Sequence, residues 1–243
     1  MTLLSVNINK IALIRNSRGS NYPDLIKVAK DCESFGAQGI TVHPRPDGRH
    51  VKYDDCYELK KTVKTELNIE GYPSENFIKL ILQVKPNQVT LVPDAPDQLT
   101  SDSGWDTIKH RGFLKEIISE LRSSGARISL FIDPIEQLIE GAAEVQADRI
   151  EFYTGPYAKL YPKDPDYAIK QYAMTAKYAT RVGLKINAGH DLNLTNLKFF
   201  KDHVPDLAEV SIGHALICDS LYYGLGSTIQ MYRQRLEERK YFV

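Results

Sequence analysis

The chain has 243 residues, of which 42% are hydrophobic and 26% are charged, and its formal net charge is zero. This composition is typical of globular proteins, and the balanced charge excludes the broad basic field expected of a nucleic-acid-binding protein. No apolar run approaches the roughly 20 residues that a membrane helix needs, and the N-terminal segment lacks the features of a secretory signal. The three cysteines are far apart and form no CxxC motif, which favours reduced thiols in the cytoplasm over disulfides or a zinc site.

Apolar segments with strand character alternate with amphipathic segments along the chain. The predicted strands span residues 3–9, 39–43, 68–72, 88–92, 127–132, 149–153, 184–187 and 208–212. The helices predicted with both bounds span 24–35, 54–65, 106–124, 193–201 and 215 to about 239. Two further helices are predicted to begin at 74 and at 133, and one is predicted to end near 181. Residues 10–19 and 95–106 are predicted as loops.

About eight strands that alternate with helical crossovers must run parallel. A closed (β/α)8 TIM barrel, formed as a single domain by residues 1–243, is the economical α/β fold at this length. A doubly wound open sheet is the alternative. That fold usually has G-x-G-x-x-G after its first strand, where this chain has NINKIALIRNSRG.

The second predicted strand leads directly into a loop rich in histidine and arginine. Residues 39–50 read GITVHPRPDGRH, in which His43, Arg45, Arg49 and His50 follow the apolar strand. Arginine presents a planar fork of donors to phosphate or carboxylate, and histidine transfers protons near neutral pH. The loop is therefore predicted to face an anionic ligand, although a solvated basic loop is the simpler alternative.

Polar residues also end most of the other predicted strands. In a barrel the carboxyl ends of the strands meet at one face, where active sites form. We therefore expect these side chains to converge on one pocket: Asn7, Asn9, His43, Arg45, Glu70, Asp94, Asp133, Glu151, Asn187, His190, Gly213 and His214.

The seventh and eighth strands end in Asn-Ala-Gly-His and Ile-Gly-His. Loops after these two strands commonly bind phosphate together with a helix N-terminus. Gly189 and Gly213, followed by a helix that begins near Ala215, therefore predict a phosphate site. Two ordinary glycine-containing turns are the alternative.

Acid–base chemistry is predicted for the same face of the barrel. Glu70 lies in an apolar strand at the barrel mouth, where desolvation raises the proton affinity of a carboxylate, so it is the candidate general base. A structural pairing with arginine is its alternative role. His43 and His190 are candidates for proton transfer or for structural histidines, and Glu151 for an orienting or electrostatic role. No H-x-x-H, nucleotide or flavin motif is found, so neither a metal nor a cofactor is expected.

Seven motifs occur in an order and at separations that resemble those of pyridoxine 5'-phosphate synthases of the deoxyxylulose-dependent vitamin B6 pathway. They are VNINKIALIRNSRG, GITVHPRPDGRH, NIE, SLFID, IEFYTG, KINAGH and IGHALI. The resemblance covers essentially the whole chain. It implies that 1-deoxy-D-xylulose 5-phosphate condenses with 3-amino-2-oxopropyl phosphate to pyridoxine 5'-phosphate, inorganic phosphate and water. It also implies a cytoplasmic homo-oligomer, often an octamer, with extra helices around the barrel.

The resemblance also implies roles for individual residues. His43 and Glu70 match the proton acceptors of the family, His190 its proton donor, and Glu151 a residue that stabilises transition states. The site for the phosphate of deoxyxylulose phosphate is matched by Arg45, His50 and Thr100. The site for the aminoketone phosphate is matched by Asn7, Arg18, Gly213 and His214.

The chain departs from the family pattern at three places within the predicted substrate site. Asn9-Lys10 replaces an Asp-His pair of many members, and Lys10 can still neutralise a phosphate. Asp191 stands where many members have glycine, and would serve through its backbone N–H. The loop after the second strand carries prolines and a glycine at 44, 46 and 48. These departures bear on ligand affinity more than on reaction type.

Two other functions fit part of the pattern. A barrel isomerase or aldolase that acts on one sugar phosphate explains Glu70 and His43, but it leaves the second cationic cluster at Arg45 and His50 unexplained. A Schiff-base aldolase also needs a lysine at a strand end, where Lys10 is the nearest candidate. A non-catalytic descendant that binds a phosphorylated metabolite has no use for the acid–base set.

Overall fold

The computed structural model describes residues 1–94 and 103–237. The eight strands among these residues form a closed parallel barrel in chain order. They are β1 Leu3–Asn7, β2 Gly39–Val42, β3 Glu66–Gly71, β4 Gln88–Leu91, β5 Arg127–Ile132, β6 Arg149–Phe152, β7 Lys185–Ala188 and β8 Leu207–Ile212. Because β1 pairs with β8, the barrel prediction is confirmed and the doubly wound open sheet is wrong.

Helices surround the barrel, and two of them begin at caps that the sequence predicts. Asp24 accepts hydrogen bonds from the N–H groups of Ile26 and Lys27, and Ser74 accepts one from Phe77. The α-helices of the described chain are α1 Asn9–Asn16, α2 Leu25–Ser34, α3 Tyr53–Thr62, α4 Glu75–Val84, α5 Arg111–Leu121, α6 Glu136–Glu144, α7 Gly155–Leu160, α8 Pro165–Arg181, α9 Leu197–His203, α10 His214–Tyr223 and α11 Leu225–Glu237. None of them combines the length and apolar character that a membrane crossing requires.

The helices differ from prediction at several places. The segment predicted as a loop after β1 forms α1, which buries only Ala12 and Arg15 and therefore has little hydrophobic periodicity. The last helix is two helices, because Gly224 adopts a left-handed φ of 77° between α10 and α11. The helix predicted from 106 begins at Arg111, after a turn that Asp106 stabilises.

The apolar core lies between the barrel and the helices, while the interior of the barrel is polar. Alternate residues of the strands point outward and are fully buried in this core, such as Val6 and Ile40. The residues between them form a belt of side-chain hydrogen bonds across β1 to β4, joining Ser5 to Thr41, Thr41 to Asn68 and Asn68 to Thr90. Most barrels of this class fill the interior with branched apolar side chains instead.

Candidate active site

A cavity of about 500 Å³ opens at the carboxyl ends of the strands. Most of the predicted site residues line it, namely Asn7, Asn9, Lys10, His43, Arg45, His50, Glu70, Glu151, His190, Asp191, Gly213 and His214. The structure therefore brings these side chains together at one cavity, and the roles assigned to them stay predictions.

Other predicted residues lie elsewhere. Arg18 is exposed in the turn after α1 and is not among the residues that line the cavity. Thr100 lies outside the described residues. Two of the strand-end residues do not line the cavity and make hydrogen bonds within the protein. Asp133 accepts a hydrogen bond from the backbone N–H of Gly104, and Asn187 is buried with its amide oxygen 3.0 Å from Arg149.

Five further residues line the cavity that the sequence analysis missed, namely Leu13, Thr90, Val92, Phe131 and Ser211. Thr90 and Ser211 lie in strands whose polar residues recur at every second position, as in Gln88-Val89-Thr90-Leu91. That alternation marks the inward face of each strand and is the signal that could have found them.

The side chains of Asn7 and Asn9 connect Glu70 and the backbone of His43 through a series of hydrogen bonds. The Asn7 amide donates to Oε2 of Glu70 over 3.5 Å, and Oδ1 of Asn7 accepts from the Asn9 backbone N–H. Oδ1 of Asn9 in turn accepts from the backbone N–H of His43 over 2.9 Å. Asn9 therefore fixes the end of β2 in addition to lining the cavity.

His43 and His50 are neutral at pH 7. Burial and the positive charge of Arg45 lower the pKa of His43 well below its ordinary value. Burial, Arg45 and Lys10 lower the pKa of His50 to about 4. The two rings meet edge to face with centroids 6.1 Å apart. Nδ1 of His50 is buried and has no hydrogen-bond partner among the described residues. A neutral imidazole can accept a proton, and an unpartnered ring nitrogen can bind a ligand oxygen.

Arg45 is held beside the cavity by a buried ion pair. Its Nη2 lies 2.5 Å from Oδ2 of Asp94, and the two side chains are only 6% and 2% exposed. The pair places a guanidinium next to His43 and Glu70 without leaving a bare charge in the protein interior.

Two carboxyl groups of the cavity hold their protons more tightly than exposed carboxyl groups do. Burial raises the pKa of Glu70 well above its ordinary value, and the nearby charges of Glu151 and Asp94 raise it further. Burial, with the charge of Glu209, raises the pKa of Glu151 to about 8. Protonated carboxyls at neutral pH can act as general acids and, once deprotonated, as strong bases.

The pKa of His190 is shifted in the opposite direction to that of His43. Burial lowers the pKa of His190, but its hydrogen bond to Asp191 and the charges of Asp191 and Glu151 outweigh burial, so the net pKa is raised. The ring packs against Phe131 and Tyr153, with centroids 6.3 and 5.9 Å away. The backbone of His190 has a φ of 24°, a value rare outside glycine that marks a constrained turn.

One end of the cavity is formed by the N-terminus of α10. Gly213 and His214 line the cavity at the first turn of this helix. Unpaired N–H groups and the helix dipole at such a terminus attract anions. Gly189 has a packing role as well, because a Cβ there would lie 2.0 Å from the carbonyl oxygen of Ser211.

Among residues 1–94 and 103–237, no group of three or more His, Cys, Asp or Glu side chains is placed so that it could hold a metal ion. What the described cavity offers is acid–base side chains together with cationic and helix-terminus sites for anions.

A sequence profile of the family described as pyridoxal phosphate biosynthesis protein PdxJ matches residues 4–238. The chain belongs to this family. It is 59% identical over 238 residues to the pyridoxine 5'-phosphate synthase of Cytophaga hutchinsonii, covering 98% of this chain and 100% of that protein. It is 58% identical over 236 residues to the protein of the same name from Bacteroides fragilis, covering 97% and 100%.

Solved structures with the same fold are more distant members of the barrel class. Phosphoribosyl anthranilate isomerase from Thermotoga maritima superposes with a TM-score of 0.62 at 13% identity, covering 98% of this chain and 99% of that chain. Thiamine phosphate pyrophosphorylase from Pyrococcus furiosus gives 0.61 at 11% identity, covering 97% and 95%. These similarities support the barrel fold alone.

Proposed function

We propose that this PdxJ-family protein is a pyridoxine 5'-phosphate synthase, which condenses 1-deoxy-D-xylulose 5-phosphate with 3-amino-2-oxopropyl phosphate. The products are pyridoxine 5'-phosphate, inorganic phosphate and water. The names of relatives that are 58–59% identical over nearly the whole chain support the reaction. The observation in the structure that carries the proposal is that one cavity holds a neutral histidine, His43, and a histidine that favours its proton, His190.

The chemistry needs several proton transfers. The amine of the aminoketone attacks the ketone of the deoxypentulose, and water must be lost as the ring forms. His43, neutral because of burial and Arg45, accepts a proton, and His190 donates one to a departing oxygen. Glu70 exchanges protons with the substrate, since its raised pKa makes it a strong base after it has donated. Glu151, at 4% exposure, stabilises developing positive charge when it ionises.

Two anion sites are proposed for the two phosphate groups. The phosphate of deoxyxylulose phosphate, which leaves in the reaction, binds to Arg45, His50 and Thr100. The aminoketone phosphate binds to Asn7, Arg18, Gly213 and His214. The unpartnered Nδ1 of His50 and the N-terminus of α10 support this division. Asn9, Lys10 and Asp191 complete the substrate contacts.

We propose further that the protein works in the cytoplasm as a homo-oligomer, of the octameric size common in the family, and that residues 1–243 form one domain. Exposed apolar side chains on α10 support assembly, since Leu221 and Tyr222 are 75% and 86% exposed. Neither a cofactor or metal nor a nucleic-acid or membrane partner is part of the proposal.

The test is turnover by the purified protein. We expect pyridoxine 5'-phosphate and free phosphate only when both substrates are present. Conversion of either substrate alone would favour the isomerase or aldolase, and binding of both substrates without product would favour a non-catalytic descendant. His43→Gln serves as the matched inactive variant, because it keeps a polar side chain of similar length and removes the proton acceptor.

A further inference from the structure

The carboxylate of Asp191 lies directly against the imidazole of His190. Oδ2 of Asp191 is 2.7 Å from Nδ1 of His190, and the two side chains are 42% and 29% exposed. We propose that Asp191 is a positioning residue for the synthase reaction, which holds the His190 ring in one orientation and keeps it protonated as the proton donor. This inference rests on the proposed function, because it names a partner for that reaction's donor.

The hydrogen bond determines which nitrogen of the ring faces the carboxylate. When Nδ1 is engaged by Asp191, the ring is restrained about its χ angles and Nε2 lies on the side of the ring away from that carboxylate. His190 also contacts the rings of Phe131 and Tyr153. The carboxylate on one edge and these two rings together restrict the imidazole to a single placement in the cavity.

The backbone of the turn is held by contacts that do not use the Asp191 side chain. The N–H of Asp191 donates to Oγ1 of Thr154 over 3.4 Å, and its carbonyl accepts from the Asn196 amide over 3.3 Å. The N–H of Leu192 donates to the carbonyl of Gly189 over 2.8 Å. The carboxylate is therefore not needed to close the turn, and its contact with His190 calls for another explanation.

Charged groups on several elements affect the pKa of His190, and Asp191 raises it most. Glu151 on β6 and Asp94 after β4 also raise the pKa of His190, but less than the hydrogen bond and the charge of Asp191 do. His214 on α10 helps to lower the pKa of Asp191, after His190 itself. The pair is thus a carboxylate and an imidazolium that stabilise each other's charged form.

The pairing also removes an electrostatic conflict. A bare carboxylate in a cavity proposed to hold two phosphate groups would repel both of them. Paired with a protonated His190, Asp191 contributes no net charge to the site. This explains how an aspartate is accommodated at a position where many members of the family have glycine.

Asp191→Asn tests the proposal, because it keeps the size of the side chain and an acceptor oxygen but removes the charge. The first measurement is the NMR titration of ¹⁵N-histidine-labelled protein, with the His190 signals identified by their loss in His190→Gln. We expect the titration of His190 to move to lower pH in the variant. Asp202→Asn is the control, since it removes an ion pair of the same 2.7 Å length to Lys198 on α9, away from the cavity.

The second measurement is the pH dependence of turnover. Because a donor must be protonated, we expect kcat of Asp191→Asn to fall about tenfold further at pH 8 than at pH 6, with little change in KM. An unchanged His190 titration would overturn the pairing whether or not the protein is active. A shifted titration with an unchanged pH–rate profile would overturn the role in the reaction. A shifted titration in a protein that never turns over would refute the proposed function and with it any role for Asp191 in that reaction.

Discussion

Arg45 combines a proposed role in phosphate binding with a structural role, and Arg45→Met separates the two. The guanidinium and the Asp94 carboxylate are 6% and 2% exposed and 2.5 Å apart. Methionine retains much of the apolar length of the side chain but leaves the carboxylate without this charge partner in the protein interior. We therefore expect loss of stability in addition to weaker binding of deoxyxylulose phosphate.

The size of the effect follows from the burial of the pair. Removing one partner of a buried ion pair costs about 3–5 kcal/mol, whereas replacing both partners with apolar residues is often neutral. For a domain of this size, about 1 kcal/mol lowers Tm by roughly 2–4 °C. Arg45→Met is therefore expected to lower Tm by about 6–20 °C, and the double variant Arg45→Met/Asp94→Leu to recover most of that loss.

The measurement is thermal and urea unfolding in buffer without phosphate, so that no ligand stabilises the folded state. Arg49→Met is the matched control, because its 2.6 Å pair with Asp47 is more exposed, at 26% and 43%, and pairs of that kind contribute about 0–1 kcal/mol. The reasoning is refuted if Arg45→Met is as stable as Arg49→Met, or if the double variant is no more stable than the single one.

Three further predictions test the cavity and its packing. Glu70→Gln keeps the size of the protonated side chain, so we expect kcat to fall about 10²–10⁴-fold with Tm nearly unchanged; wild-type turnover would contradict the proposed role. Burial raises the pKa of Glu151 from 4.5 to about 8, so the folded protein binds more protons than the unfolded chain between these pH values. The free energy of unfolding should fall as pH rises through that window, and Glu151→Gln should flatten the decline in urea titrations; an identical slope would count against the burial effect. Gly189→Ala places a Cβ 2.0 Å from the Ser211 carbonyl oxygen and should cost about 1–3 kcal/mol in thermal unfolding. Gly112→Ala, with nothing within 4 Å in α5, is its control and should be neutral or stabilising.

The barrel was predictable because its strands are apolar, bounded by turn residues, and separated by helical segments of regular length. From the sequence alone, the carboxyl-end rule predicts that His43 in the loop after β2 and Glu70 in β3 lie on the same face of the barrel. Short elements were not predictable in this way. α1 buries Ala12 and Arg15 only, so its position is set by contacts such as the ion pair of Arg15 with Asp55 of α3, and not by a hydrophobic pattern of its own.

The polar interior of the barrel is visible in the sequence as polar residues at every second position of the strands, a pattern on which the predictions above do not draw. In β8, Glu209 and Ser211 alternate with the apolar residues Val210 and Ile212. Strands buried on both faces are expected to be continuously apolar, so such polar residues were interpreted only where they ended a strand. This alternation marks which side chains point into the barrel and which face the helices.

Side-chain pairing was the part of the site that sequence could not supply. Nothing in the order of residues indicates that Arg45 lies 2.5 Å from Asp94, because the two are brought together by closure of the barrel. The opposite pKa shifts of His43 and His190 also depend on the fold. Arg45 and Asp191 are close to these histidines in the sequence, but only the folded chain determines how deeply each ring is buried and whether the neighbouring side chain reaches it.

The most direct test of the proposed condensation follows the atoms of both substrates through one turnover. Purified protein would be given ¹⁵N-labelled 3-amino-2-oxopropyl phosphate and unlabelled 1-deoxy-D-xylulose 5-phosphate, and monitored by ¹⁵N and ³¹P NMR. We predict that the label appears in the pyridine ring and that one inorganic phosphate is released for each ring formed. Release of phosphate without a labelled ring, or consumption of one substrate alone, would contradict the proposal that this cavity joins the two.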